Sequence, residues 1–356
     1  MKTTCIAWRV AATAAWIAWN PSAPAQDYRR IDLLSDGAVQ APHVDEALVD
    51  PWGLDASPSG PFWIASAGTG TALRVLGDGR RTGDLLSIPD TRASAPTGVV
   101  HNGSSGFVIH REDLSGPSLF LFATRDGRVL GWNPDVAADS AVPAIDESAS
   151  GAQYEGIAVA ERGARRRLYA TNFAAGVVDV FDEQFAHVGS FTDDLVPSNF
   201  APFGIRRFGE FLYVTYTDRR PSVRTHSPGD TPTTGGEANG YIDVFGTDGH
   251  LVKRLVSREH LDAPWGLAMA PAGFGRFGKA LLVANSGDGT ITAFRPDTGA
   301  YRGVLEDEQG DPIRVSGLRA ISFGNGSLGG DARTLYFTAG IDHGRHGLFG
   351  AIERNL

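Results

Sequence analysis

Cysteine is almost absent from this chain: Cys5 is the only one in 356 residues, and it falls in a segment that reads as removable. Disulfides therefore cannot hold the fold together. A chain this long buries roughly three-quarters of its surface and can rely on its core. Helical periodicity is also missing over any useful length. No Gly-x-Ser-x-Gly elbow, phosphate-binding Gly loop, His-Glu-x-x-His helix or dinucleotide fingerprint occurs, so nucleophilic serine catalysis has no support. The amino-terminal apolar run, Val10–Trp19, is about half the roughly 20 residues that a membrane-spanning helix needs.

What the chain has in quantity is turn chemistry, with 45 Gly and 20 Pro beside 42% hydrophobic residues. This composition suits an all-β repeat protein. The stretch Ala263–Leu305 shows the unit. Short apolar runs such as Ala280–Ala284 alternate with turns, and Gly287-Asp288-Gly289 supplies the positive-φ positions of a tight hairpin.

Six segments repeat its opening: Pro51–Leu54, Pro96–Val99, Tyr154–Ile157, Pro202–Ile205, Pro264–Leu267 and Leu318–Ile321, spaced by 45, 58, 48, 62 and 54 residues. Each is followed by a second and a third short strand, and five of them by a fourth. Units near 50 residues with four strands each predict a six-bladed β-propeller. The sixth copy runs out of chain at Leu356, whereas Tyr28–Leu34 belongs to no copy. That strand is predicted to complete the last blade, so that the two termini close the ring and remove its open edges.

Residues 1–25 are set apart. Lys2 and Arg9 precede or enter an apolar run, and Ala23-Pro24-Ala25 fits a cleavage site before Gln26, the pattern of a secretory signal peptide. Residues 26–356 then form one propeller domain. Removing Lys2 and Arg9 shifts the net charge from −9 to −11. So acidic a chain is a poor partner for nucleic acid or anionic membranes. The expectation is a secreted or periplasmic monomer, with no membrane span after cleavage.

In this strand order the starts of first strands and ends of second strands meet at one face, near the central channel. Trp52, Thr97, Glu155, Phe203, Trp265 and Arg319 are predicted to ring it, with Ser66, Arg125, Asn172, Asp218, Asn285 and Gly340 close by. The insertion Thr217–Gly240 overhangs the same face. Trp52, Phe203, Trp265 and Arg319 form a candidate ligand rim, although aromatics before Gly in each blade also serve to pack blades together.

Glu155, Asn172 and Asn285 offer oxygen ligands of the kind a hard divalent cation such as calcium takes, though with one carboxylate the count is short. Asn after a strand also caps turns, and Glu155 has a potential ion-pair partner across the channel in Arg319. Asp342, His343 and His346 share a turn that could hold a transition metal or stand solvated. Arg165-Arg166-Arg167 reads as a solvated turn on the opposite face.

The phrases Leu48–Leu54, Gly60–Ala65, Leu168–Phe173, Gly240–Phe245, Ala263–Leu267 and Leu335–Asp342 resemble an uncharacterised group of exported bacterial proteins predicted to be β-propellers. The resemblance covers nearly the whole mature chain and implies export and the propeller fold, but no activity. It departs at Ser66-Ala67, where Asp-Asn is usual, and at Arg319, where Trp is usual. More distantly, the architecture is similar to NHL-type six-bladed propellers and to calcium-dependent lactonases of the gluconolactonase class. Two functions follow as expectations: a non-catalytic module that binds a protein or small ligand, or a metal-dependent hydrolase with its site at the channel mouth.

Overall fold

The computed structural model describes residues 28–89, 95–162, 165–219 and 239–355. The proposed signal segment and most of the Thr217–Gly240 insertion, from 220 to 238, lie outside them.

Six antiparallel sheets of four blade strands stand around a central axis, one for each repeat. The inner strands are Pro51–Ala56, Pro96–His101, Tyr154–Arg162, Phe200–Phe208, Pro264–Met269 and Leu318–Phe323. Five blades run inner to outer in chain order. The sixth is built from both ends of the chain: Tyr28–Ser35 pairs antiparallel with Leu348–Arg354 as its outer strand. The ring therefore closes as the unassigned amino-terminal strand predicts.

Sequence patterning missed two additions. A short strand, His43–Val44, lies parallel against Tyr28–Ser35 on the outside of blade 6. A hairpin, Val108–Arg111 with Leu114–Pro117, separates the first and second strands of blade 2.

Both faces of each sheet are apolar, because each sheet packs between two others. The core is accordingly split into six clusters, each shared by adjacent blades. Tyr28, for example, belongs to blade 6 but buries its ring against Phe274 and Phe277 of blade 5, at centroid distances of 4.8 and 5.9 Å.

Close to the axis the blades are joined by their backbones. A Gly follows the rim residue in five of the six blades and has little room for a side chain: a Cβ on Gly204 would lie 2.1 Å from the Trp265 carbonyl oxygen, and one on Gly266 would lie 2.4 Å from that of Arg319. Threonine hydroxyls add cross-blade bonds. Thr97 donates to the Tyr154 carbonyl at 2.7 Å, and Thr171 to the Phe203 carbonyl at 2.8 Å.

Candidate functional site at the channel mouth

The pairing register slips in the first two strands of every blade. The slips fall between Pro51 and Leu54, Phe122 and Thr124, Tyr154 and Gly156, Pro202 and Ile205, Pro264 and Leu267, and Leu318 and Ile321. A bulge leaves residues outside the ladder and re-aims their side chains. Trp52, Glu155, Phe203, Trp265 and Arg319 all fall within or beside these slips. The repeat thus delivers one side chain from each of five blades to the same end of the channel, while Thr97 of blade 2 donates to the Tyr154 carbonyl.

There the aromatics do not form an open platform. Trp52 meets Trp265 edge-on at 5.6 Å and Phe203 edge-on at 6.0 Å, so blades 1, 4 and 5 touch across the axis. With Trp52 3% and Trp265 8% exposed, these rings plug the channel. Trp265 is also fixed by its indole N–H, which donates to the Glu155 carbonyl at 3.1 Å. Phe203 keeps part of its surface exposed, and Phe173 packs against it with tilted rings at 5.8 Å. Among the described residues, this edge of the rim remains available as an apolar contact surface.

The charged groups sit on the plug. The Arg125 guanidinium lies 4.3 Å and that of Arg319 4.2 Å from the Trp52 ring centre. Two cations on one indole draw on cation–π attraction, which strengthens as water is excluded. Arg125 Nε donates to both Glu155 carboxylate oxygens, at 3.2 and 3.3 Å. The ion-pair partner of Glu155 is therefore Arg125 of blade 2, whereas Arg319 acts on it through space without a hydrogen bond. Burial pushes the Glu155 carboxyl up, and Arg125 and Arg319 pull it back. Burial likewise lowers the Arg319 value, although the guanidinium stays charged at any ordinary pH.

Asn172 and Asn285, the other members of the candidate cation set, are held by protein partners. The Asn172 side-chain oxygen accepts from the Gln153 and Ala175 N–H groups, while its NH₂ donates to Asp179 at 2.9 Å. The Asn285 oxygen accepts from the Asp262 N–H, and its NH₂ donates to Thr290 Oγ1 at 3.1 Å. Ser66, at the matching place in blade 1, accepts from the Val49 N–H at 2.9 Å and donates to the Ala47 carbonyl. These side chains clasp the chain leading into each inner strand, which is turn-capping work. Among the described residues no three His, Cys, Asp or Glu side chains group as metal ligands. In the last blade His346 Nδ1 lies 2.8 Å from Asp36 Oδ2, and Asp342 and His343 are exposed.

A second closure lies three residues further along the inner strands, about 10 Å deeper. Arg206 reaches from blade 4 to Asp55 Oδ1 of blade 1 at 3.5 Å and to Ser322 Oγ of blade 6 at 3.2 Å. Asp55 is steadied by the His101 N–H at 2.8 Å. The channel cavity, about 210 Å³, is lined by Gly53, Gly98, Gly156, Gly204, Gly266 and Ala320, with Trp265 and Arg206 also at its wall. Sequence reasoning missed Arg206 and Asp55. Their offset of three from Phe203 and Trp52 was the available signal.

No family model matches the chain. Uncharacterized protein R648 of Acanthamoeba polyphaga mimivirus is 31% identical over 330 residues, covering 90% of this chain and 78% of that protein. The chain belongs to the family of R648. Uncharacterized protein L690 of the same virus is 29% identical over 333 residues, covering 91% of this chain and 85% of L690. These relatives are viral, whereas the group that the sequence resembles is bacterial.

Among solved structures, a catalytically inactive virginiamycin B lyase from Staphylococcus aureus with quinupristin superposes at TM-score 0.53 and 12% identity, covering 92% of this chain and 99% of that one. A streptogramin B lyase gives TM-score 0.52 at 12% identity, over 92% and 97% of the two chains. At such identity the likeness is one of fold.

Proposed function

We infer that this chain is a non-catalytic binding module of an exported propeller, and that the plugged channel mouth is where it holds a protein or small ligand. The observation that carries this reading is the state of the groups assembled there. Trp52 and Arg319 present buried N–H donors with no acceptor among the described residues, beside the partly exposed Phe203 and Phe173. Unfilled polar donors next to an apolar contact surface are what a ligand can use. The hydrolase alternative is weaker, because the amides of Asn172 and Asn285 are spent on turns and Glu155 is neutralised by Arg125.

The test is a thermal-shift screen of wild type and Phe203→Ala, run beside metal analysis and turnover assays on lactones and esters. Compounds that stabilise wild type, lose that effect in Phe203→Ala and are recovered unchanged support a binding module. Turnover that disappears in Glu155→Gln would sink it in favour of the hydrolase. Export rests on the amino-terminal pattern and the cysteine-free mature chain. A chain recovered outside the cell should begin at Gln26, and retention of Met1 in a cytosolic product would refute export.

A further inference from the structure

Arg319 is partly buried near the axis, yet it hydrogen-bonds to no described residue. Its Nε is buried without a partner, and its close contact is the face of Trp52. The indole N–H of Trp52, on a side chain 3% exposed, is unpartnered as well. A guanidinium carries five N–H donors in a planar fork and an indole carries one, and neither can accept. Leaving the Arg319 Nε–H and the Trp52 indole N–H buried and unfilled is costly, which makes two such donors on neighbouring side chains informative.

The carboxylates nearby do not fill them. Glu155 is taken by Arg125. Asp50 acts on Arg319 electrostatically, but its Oδ1 has no hydrogen-bond partner. Asp50 has φ 45° and is wedged against blade 6: a Cβ on Gly340 would fall 2.1 Å from Oδ1, and one on Gly344 2.9 Å from Cγ. The mouth therefore holds two buried donors without acceptors, Arg319 Nε and Trp52 Nε1, and one buried acceptor without a donor, Asp50 Oδ1, within a set of two cations and two carboxylates.

Resting on the binding reading above, we propose that the mouth recognises a carboxylate: Arg319 and Trp52 donate to its two oxygens, and Phe203 with Phe173 receives the apolar body that bears it. The planar fork of arginine matches a carboxylate in two-point geometry. A monoanion suits the site better than a phosphate dianion, which would add a second negative charge beside Asp50 and Glu155. The carboxylate can come from a small organic acid or from the carboxyl terminus of a partner chain.

The experiment follows the Trp52 indole N–H by NMR in the full mature chain, assigned with Trp52→Phe, during titration with phenylacetate and phenylacetamide. Phenylacetate should shift this resonance and the amide should bind at least about tenfold more weakly, the discrimination of a charge-assisted hydrogen bond. Arg319→Gln, with an unchanged melting temperature, should lose about tenfold or more in affinity, and Arg319→Lys less. If Arg319→Gln does not fold, Trp52→Phe keeps a smaller aromatic ring without the N–H donor, and calorimetric titration with phenylacetate should show weaker binding than wild type.

A peptide ending in Phe, with free or amidated carboxyl, separates the sources. Tighter binding of the free-acid peptide than of phenylacetate points to a partner terminus, and equal or weaker binding to a small acid. Equal binding of acid and amide at the mouth would overturn the carboxylate assignment while leaving a binding module. Silence of the Trp52 resonance toward every probe at millimolar concentration, or wild-type affinity in folded Arg319→Gln, would also overturn it.

Discussion

The Thr338 hydroxyl donates to the Trp52 carbonyl at 2.6 Å, joining residues 286 positions apart and locking blade 6 to blade 1 at the axis. The same oxygen accepts the Ala320 N–H at 3.1 Å. Thr338→Val keeps the shape and strands both buried backbone groups, each worth about 1–3 kcal/mol when left unpaired. The expected result is a loss of at least about 2 kcal/mol in urea unfolding, with the denaturant slope unchanged. A loss of a few tenths would show that ring closure rests on the outer strands alone.

The glycine after the rim residue in five of the blades gives a sharper contrast. Gly204→Ala and Gly266→Ala drive a methyl into the neighbouring blade's backbone, which cannot move without parting two inner strands. Each should cost about 3 kcal/mol or more, the upper range for overpacking. Blade 6 already carries Ala320 at this place, buried at 2% exposure. Ala320→Gly should therefore cost only about 1 kcal/mol, mainly through chain entropy. Equal melting temperatures for the three variants would refute the close-packing account.

Tyr28 ties the closing strand to blade 5 as well as blade 6. It is fully buried, and its hydroxyl donates to the Phe274 carbonyl at 3.1 Å. Tyr28→Ala should cost about 3–5 kcal/mol, as large aromatic truncations do in cores. Removing residues 27–35 should go further and leave an aggregating chain, because the edge of Leu348–Arg354 is then exposed. A soluble deletion variant with an unchanged circular dichroism spectrum would show that blade 6 stands on three strands.

The propeller was legible because its evidence is local and repeated. Turn residues bound each strand, and five of the inner strands begin where the repeated segments do, at Pro51, Pro96, Tyr154, Pro264 and Leu318. The rim was legible too, since aligning six copies puts Trp52, Phe203, Trp265 and Arg319 at equivalent bulges. Their partners were not. Whether Glu155 meets Arg125 or Arg319 depends on side-chain reach across the ring, and strand spacing does not encode it. The Arg206–Asp55 closure is of the same kind, a contact between residues 151 apart. The hairpin Val108–Pro117 was missed because its exposed, Gly-containing strands lack apolar alternation.

Asp243 makes a prediction about pH. Its side chain is fully buried in blade 4, where Arg254 bonds it at 3.0 Å and also bonds Asp193, while Asp243 Oδ2 has no partner. Burial pushes the carboxyl up to about 7, opposed by Arg254 and assisted by the Asp193 charge. Between the unfolded value near 4 and this folded value, the folded chain holds a proton that the unfolded chain has released. The contribution of Asp243 to stability is therefore fully present below about pH 4 and is lost as the pH rises through 7, by about 4 kcal/mol at most. Asp243→Asn cannot ionise, so its stability relative to wild type should improve steadily from pH 4 to 7 and level off above. Urea unfolding of both chains across pH 4–9 measures this directly. A constant difference across that range would mean that Arg254 keeps Asp243 ionised throughout.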